Sequence, residues 1–183
     1  MQNDPETLFP TMAQIVSRYP DWETLLAPRL ILGLWHPLFI RPAYQYLPLL
    51  RRYHIGVSVD VAKKYFWDAC EGFSMLFAVM MGAPGEKFRE ECRQAGKEVT
   101  LWTVNSPEEM KIGMSWGVKA VLTDKVVADP AKLQLPGWSS YTYGWSNWKY
   151  YTAFHVGIHY MGKAYLSTNG RLVRPGVEGK KPP

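Results

Sequence analysis

Between Glu98 and Asp124 the chain spells out a strand, a capped helix and a second strand, and no other feature constrains its fold as tightly. Residues 98–104 are mostly β-branched or aromatic and contain neither glycine nor proline, the composition of a buried strand. Ser106 and Glu109 have the spacing of a capping box, and Pro107 suits the first helical position, where its missing N–H costs nothing. Gly117 can take the left-handed conformation that ends a helix. Residues 119–122 then read as a short second strand. Two strands joined by a helix of this length form a βαβ unit with a right-handed connection.

The same alternation runs upstream. Asp4-Pro5 starts a helix with Leu8, Met12, Ile15 and Val16 on its apolar face, and Pro10 is expected to kink it. Tyr19-Pro20-Asp21 breaks that helix, and a short helical turn follows at residues 22–26. Residues 30–35 form a near-continuous apolar run that suits a strand buried on both faces. A helix is expected over 42–53 and a strand over 54–59, with Asp60 as N-cap of a short helix carrying Val61, Ala62, Tyr65 and Phe66. A strand is expected over 73–80, then a charged helix over 85–95 with Phe88 and Cys92 inward, stopped at Gly96. Strands near 30–35, 54–59, 73–80, 98–104 and 118–122 predict an α/β fold with a parallel sheet. Periodicity alone fits either a barrel or an open doubly wound sheet.

The 183 residues, nearly half of them hydrophobic, suffice for one domain with a real core. Cys70 and Cys92 read as small buried residues of an intracellular protein rather than a disulfide framework. The acidic, polar N-terminus does not read as a signal peptide, and no apolar run reaches the length of a membrane span. From Lys125 onward eight basic residues face two acidic ones, so this tail carries +6 of the +5 net charge and the preceding residues −1. About a third of residues 138–165 are aromatic, including Trp145, Trp148, Tyr150, Tyr151 and Phe154. The expected organisation is therefore a domain over 1–135, an aromatic basic tail helix over 136–168 and a disordered C-terminus over 169–183. Aromatic and basic residues together suit a peripheral association with an anionic membrane surface, and an extra helix packed on the domain is the alternative. His155 and His159 share a helix face but lack the glutamate of a zinc-hydrolase motif. No nucleic-acid-binding module is recognisable, and none is expected as a partner.

Trp102-Thr103-Val104-Asn105, a helix of about ten residues and Thr123-Asp124 resemble the last two barrel strands of the glycerophosphodiester phosphodiesterase family. Asn3-Asp4-Pro5-Glu6, Leu26-Ala27-Pro28-Arg29 and Leu32-Gly33-Leu34-Trp35-His36-Pro37 resemble its fungal branch, the phosphatidylglycerol phospholipase C type. The resemblance spans roughly residues 2–130. It implies the C-terminal portion, about five of eight β/α units, of a TIM-type (β/α)8 barrel. It also implies a phosphoric diester hydrolase of glycerophospholipid metabolism, phospholipase C-like, that uses a divalent metal such as Mg or Ca. A metal neutralises the charge of a phosphodiester while histidines move protons to and from its oxygens.

Of the motifs that carry this apparatus in the family, a His-Arg pair and a Glu-x-Asp pair are not found in this sequence, and no Glu/Asp-x-Lys ends one of the expected strands. By the resemblance, Asn3-Asp4-Pro5-Glu6 is expected to follow directly on the last of them. The chain is therefore expected to have little activity alone, whether as a clipped enzyme or as a true short form. The alternative is a non-catalytic half-barrel protein that associates with a membrane or with itself, since an unclosed sheet leaves two unpaired edges open to a homodimer. In such barrels active-site residues sit at the C-terminal strand ends. That rule nominates Trp35 and His36, Ser58 and Asp60, Trp102 and Asn105, and Thr123 and Asp124. Trp35, His36, Trp102 and Asn105 are the candidate substrate-binding residues. Trp102 reads as a wall of the site or as barrel core, and Asn105 as a phosphate ligand or as a helix cap shared with Ser106. His36 reads as a proton shuttle, as a wall residue or as part of a loop turn, and Asp124 as a cap or a metal ligand.

Overall fold

The computed structural model of the chain describes residues 4–125. The order is α1 (Pro5–Val16), a π-helical turn (Trp22–Leu26), β1 (Ile31–Leu34), α2 (Ile40–Tyr46), β2 (Arg51–Gly56) and α3 (Val59–Val61), which runs on into a second π-helical turn (Ala62–Phe66). There follow β3 (Gly72–Leu76), α4 (Phe77–Met80), α5 (Gly82–Gln94), β4 (Glu98–Trp102), α6 (Pro107–Ser115) and β5 (Ala120–Val121). All neighbouring strands are parallel and their order is β1-β2-β3-β4-β5. A doubly wound sheet reverses its strand order at a switch point; this sheet does not. With right-handed crossovers, a monotonic order lays every connecting helix on the same face. The architecture is thus a singly wound section of a barrel, as the family resemblance implies. The aromatic tail over 136–168 and the C-terminus over 169–183 lie outside the described residues.

The helix-covered face holds the core. Leu32, Leu34, Phe73, Met75, Leu101 and Val99 alternate along the strands and are buried. Phe73 packs against Trp67 and Phe88 at ring-centroid distances of 5.6 and 5.1 Å. Gly113 of α6 presses on β4, since a Cβ there would lie 2.9 Å from Leu101 Cδ1. His54 also faces the helices, stacked on Phe66 at 3.7 Å with Nδ1 2.9 Å from the carbonyl oxygen of Leu34. Its Nε2 is buried and has no hydrogen-bond partner among the described residues. Burial lowers the His54 pKa to about 4.

Several boundaries depart from the sequence expectations. The helix expected over 42–53 ends at Tyr46, because Pro48 biases Leu47 away from helical backbone, and Leu47 takes φ −135° and ψ 54°. Residues 51–53 are released into β2. The strand expected over 73–80 stops at Leu76, and the apolar residues that follow form α4. Ser58, not Asp60, caps α3, with its hydroxyl accepting from Val61 N at 3.4 Å. In α1 the buried side chain is Phe9, and Ile15 is half exposed rather than inward. The α6 expectations hold: Ser106 Oγ accepts from Glu109 N at 3.1 Å, Pro107 opens the helix and Gly117 has φ +70°.

On the helix-free face, Gly33, Tyr53, Gly72 and Glu98 stand in register across four strands. Tyr53 lies across Gly72, where a Cβ would sit 2.6 Å from its ring, and its hydroxyl donates to the Glu98 carboxylate. Arg51 Nη2 reaches Glu98 Oε2 at 2.6 Å, and Lys119 Nζ lies 3.3 Å from Oε1. The Tyr53 hydrogen bond, followed by the basic partners, holds Glu98 down at about 2. Burial and the same carboxylate push Tyr53 up to about 12.

Two stability predictions follow from these faces. Gly72→Ala forces a methyl group into the Tyr53 ring and the Glu98 carbonyl, and should destabilise the fold by about 1–3 kcal/mol in urea melts. Protonation of His54 is disfavoured in the fold relative to its ordinary value of 6.5. Its stabilising neutral form is therefore fully present above pH 6.5, and that contribution is lost as pH falls from 6.5 through about 4, with a loss on the order of 3 kcal/mol. His54→Phe, which keeps the stack on Phe66, should flatten the melting temperature across that window and leave the Glu98 titration below it untouched.

Candidate functional site

The C-terminal ends of the strands meet at one end of the sheet. Trp35, directly after β1, and Trp102, ending β4, approach edge to face with ring centroids 5.7 Å apart and planes at 65°. Two strands separate β1 from β4, so this contact bridges the helix-free face at its mouth. Trp102 is fixed from below, because its indole Nε1 donates to the Ser74 carbonyl at 2.9 Å. Trp35 keeps 49 % of its surface exposed. The peptide bond between Trp102 and Thr103 is cis.

The loop after β4 is tied to the end of β5. Val104 is buried and its N–H donates to the Leu122 carbonyl at 2.9 Å. One residue further along each segment, Thr123 Oγ1 donates to Asn105 Oδ1 at 2.8 Å and accepts from Lys125 N at 3.0 Å. Ser106 alone supplies the side-chain cap of α6, so Asn105 is not consumed as a cap.

His36 is placed differently from the two indoles. It is buried, and its Nδ1 accepts from Leu38 N at 3.2 Å, capping the turn Pro37–Phe39. Burial lowers its pKa, which keeps the ring neutral. The geometry places His36 in the loop turn. Asp60 lies within the first turn of α3 and Asp124 beyond β5. Among the described residues no group of three or more His, Cys, Asp or Glu side chains is placed to hold a metal ion. The described residues therefore offer no ready-made ligand set for a divalent metal. Cys70 and Cys92 are buried free thiols, each pushed up to about 12 by burial, and so are inert. A groove of about 790 Å³ lies elsewhere, between α5 and the start of β5, with Arg89 over the Trp116 ring at 3.9 Å.

Sequence reasoning located the strand ends but not the contacts between them. Ser74 acts through its backbone carbonyl, which no side-chain motif reveals, and the Trp35–Trp102 contact depends on curvature. The Thr123–Asn105 bond had a signal, since both residues end consecutive strands of one βαβ unit.

The winding defines a section of a TIM-type barrel. The model of the glycerophosphoryl diester phosphodiesterase family matches residues 3–128, and the chain belongs to that family. Among solved structures it is similar to a glycerophosphodiester phosphodiesterase from Parabacteroides distasonis, with 19 % identity and a TM-score of 0.53, over 68 % of this chain and 50 % of that one. It is also similar to an Oleispira antarctica phosphodiesterase solved with the product sn-glycerol-3-phosphate, with 16 % identity and a TM-score of 0.55, over 71 % of this chain and 49 % of that one. The chain thus spans about half the length of the solved relatives it matches, and at these identities the likeness concerns the fold. No curated protein matches it in sequence.

The indole pair gives a direct test of the mouth. A double-mutant cycle of Trp35→Ala and Trp102→Ala, read by urea denaturation, should return a coupling of about 0.5–1.5 kcal/mol. Additive effects would show that the rings do not meet in solution.

Proposed function

We propose that this chain forms the C-terminal wall of a phosphoric diester hydrolase site that takes glycerophospholipids in a phospholipase C-like manner. The observation that carries this reading is the mouth itself: a partly exposed indole pair beside a carboxamide, on a family member. Indoles offer apolar area for glycerol and acyl-linked atoms, and the amide offers a neutral hydrogen bond to a phosphoryl oxygen. The family generally depends on a divalent metal. Among the described residues no cluster of His, Cys, Asp or Glu is placed to hold a metal, and burial lowers the pKa of both His36 and His54. The chain on its own should therefore bind the phosphorylated glycerol moiety weakly and hydrolyse little. Purified protein incubated with phosphatidylglycerol vesicles or with soluble glycerophosphodiesters, in Mg or Ca, is expected to release no product above background. Metal-dependent turnover would overturn this. The basic, aromatic composition of the residues beyond 136 supports a membrane surface as partner, and co-sedimentation with anionic vesicles should fall when the chain is ended there.

A second reading is favoured by where apolar surface is exposed. Ile31 and Trp35 lie on or next to the edge strand β1, Leu122 follows the edge strand β5, and Ile15, Tyr19 and Leu25 lie on α1 and the segment leading to β1. Exposed apolar side chains beside unpaired strand edges favour self-association. Light scattering after size exclusion should give a mass above one chain; a stable monomer would count against it.

A further inference from the structure

We propose that Thr123 is a positioning residue that fixes the Asn105 carboxamide so that its amide nitrogen serves an oxyanion, the phosphoryl group of a ligand at the mouth. The inference rests on reading the mouth as a phosphate-ester site and adds a residue and a direction of hydrogen bonding to it. Lys125 N donates to Thr123 Oγ1 at 3.0 Å, which occupies the hydroxyl as acceptor. Its proton then goes to Asn105 Oδ1 at 2.8 Å, in preference to the Lys125 carbonyl at 3.3 Å. With Oδ1 satisfied, the carboxamide orientation is set, and what it offers a third group is Nδ2 with two N–H donors. Among the described residues no hydrogen bond uses that nitrogen, and α6 draws its side-chain cap from Ser106. The backbone bond from Val104 N to Leu122 O, at 2.9 Å, keeps the two segments side by side.

Orientation matters because an unheld carboxamide can present either its oxygen or its nitrogen. The oxygen repels a phosphate, and the nitrogen attracts it. Holding Oδ1 removes the repulsive orientation and makes the group donor-only. Trp102, by contrast, has already given its single N–H to the Ser74 carbonyl. The ligand class is a phosphate monoester or diester, and the assignment does not depend on how the bond to phosphorus is broken.

The test is NMR on the ¹⁵N-labelled full chain, following the side-chain N–H₂ resonances of Asn105 during titration with sn-glycerol 3-phosphate and, separately, inorganic phosphate. In the wild type these resonances should shift saturably. Thr123→Val should weaken the response by about 3- to 10-fold, the value of one lost hydrogen bond, and Thr123→Ser should restore it. Ser106→Ala, which disturbs the α6 cap, should leave it unchanged. Asn105→Asp is a second route that leaves Thr123 intact, and it should abolish binding followed at the other mouth resonances. Wild-type affinity in Thr123→Val or in Asn105→Asp overturns the proposal. A response at other mouth residues without Asn105 overturns it while leaving the phosphate-site reading in place. No response at any mouth residue overturns both.

Discussion

The helix-free face of this sheet is organised around one carboxylate. Glu98 opens β4 and gathers the Tyr53 hydroxyl from β2, the Arg51 guanidinium from the same strand and the Lys119 ammonium beside β5. The donors come from strands on both sides of β4, so the interaction spans most of the sheet at a single level. It is possible only because β3 contributes Gly72 there, and any side chain would stand where the Tyr53 ring crosses. A tyrosine donor and two cations leave the carboxylate ionised over nearly the whole pH range. The cluster therefore fixes the relative level of β2, β3, β4 and β5 regardless of ordinary changes in acidity. Every contact at the mouth inherits that register.

The opposite end of the same strands shows the consequence. Trp102 is four residues from Glu98 and shares its face, as the period of two requires. It can bond to the Ser74 carbonyl because β3 and β4 are held level by the Glu98 layer below. Trp35 then reaches it from β1 across two strands, which a flat sheet would not permit at a centroid distance of 5.7 Å. Curvature, strand order and the aromatic contact are thus one fact seen three ways. Helices on one side supply the apolar mass, and the free side is left to carry polar and aromatic contacts.

Much of this was legible in the sequence, and the limits have physical causes. Ser106, Pro107 and Gly117 gave the βαβ unit its boundaries because capping and left-handed turns act over a few residues. The five strands were visible because a parallel strand covered by helices shows apolar runs. The sequence could not distinguish residues 77–80 from strand, since Phe77, Val79 and Met80 suit a buried helix turn equally well. It missed Ser58 as a cap because Ser and Asp cap about equally well and backbone geometry decides between them. Leu47-Pro48 did carry the signal that ends α2, through the restriction a proline places on its predecessor. The strand-end rule nominated His36 among other residues, and its Nδ1 caps the turn that follows β1.

The mouth is chemically of one kind. Its indoles and carboxamide are neutral, and burial lowers the pKa of the two histidines of the strand region. One caps a turn and the other stacks beneath the helices, away from the mouth. A surface of this type can bind and orient a phosphorylated polyol, because apolar area and fixed dipoles act on a ligand without exchanging protons with it. Cleaving a phosphodiester asks for more, namely charge neutralisation and a proton carrier working near neutral pH. On the proposed reading the described residues serve the first task, through contacts that hold the geometry of the mouth.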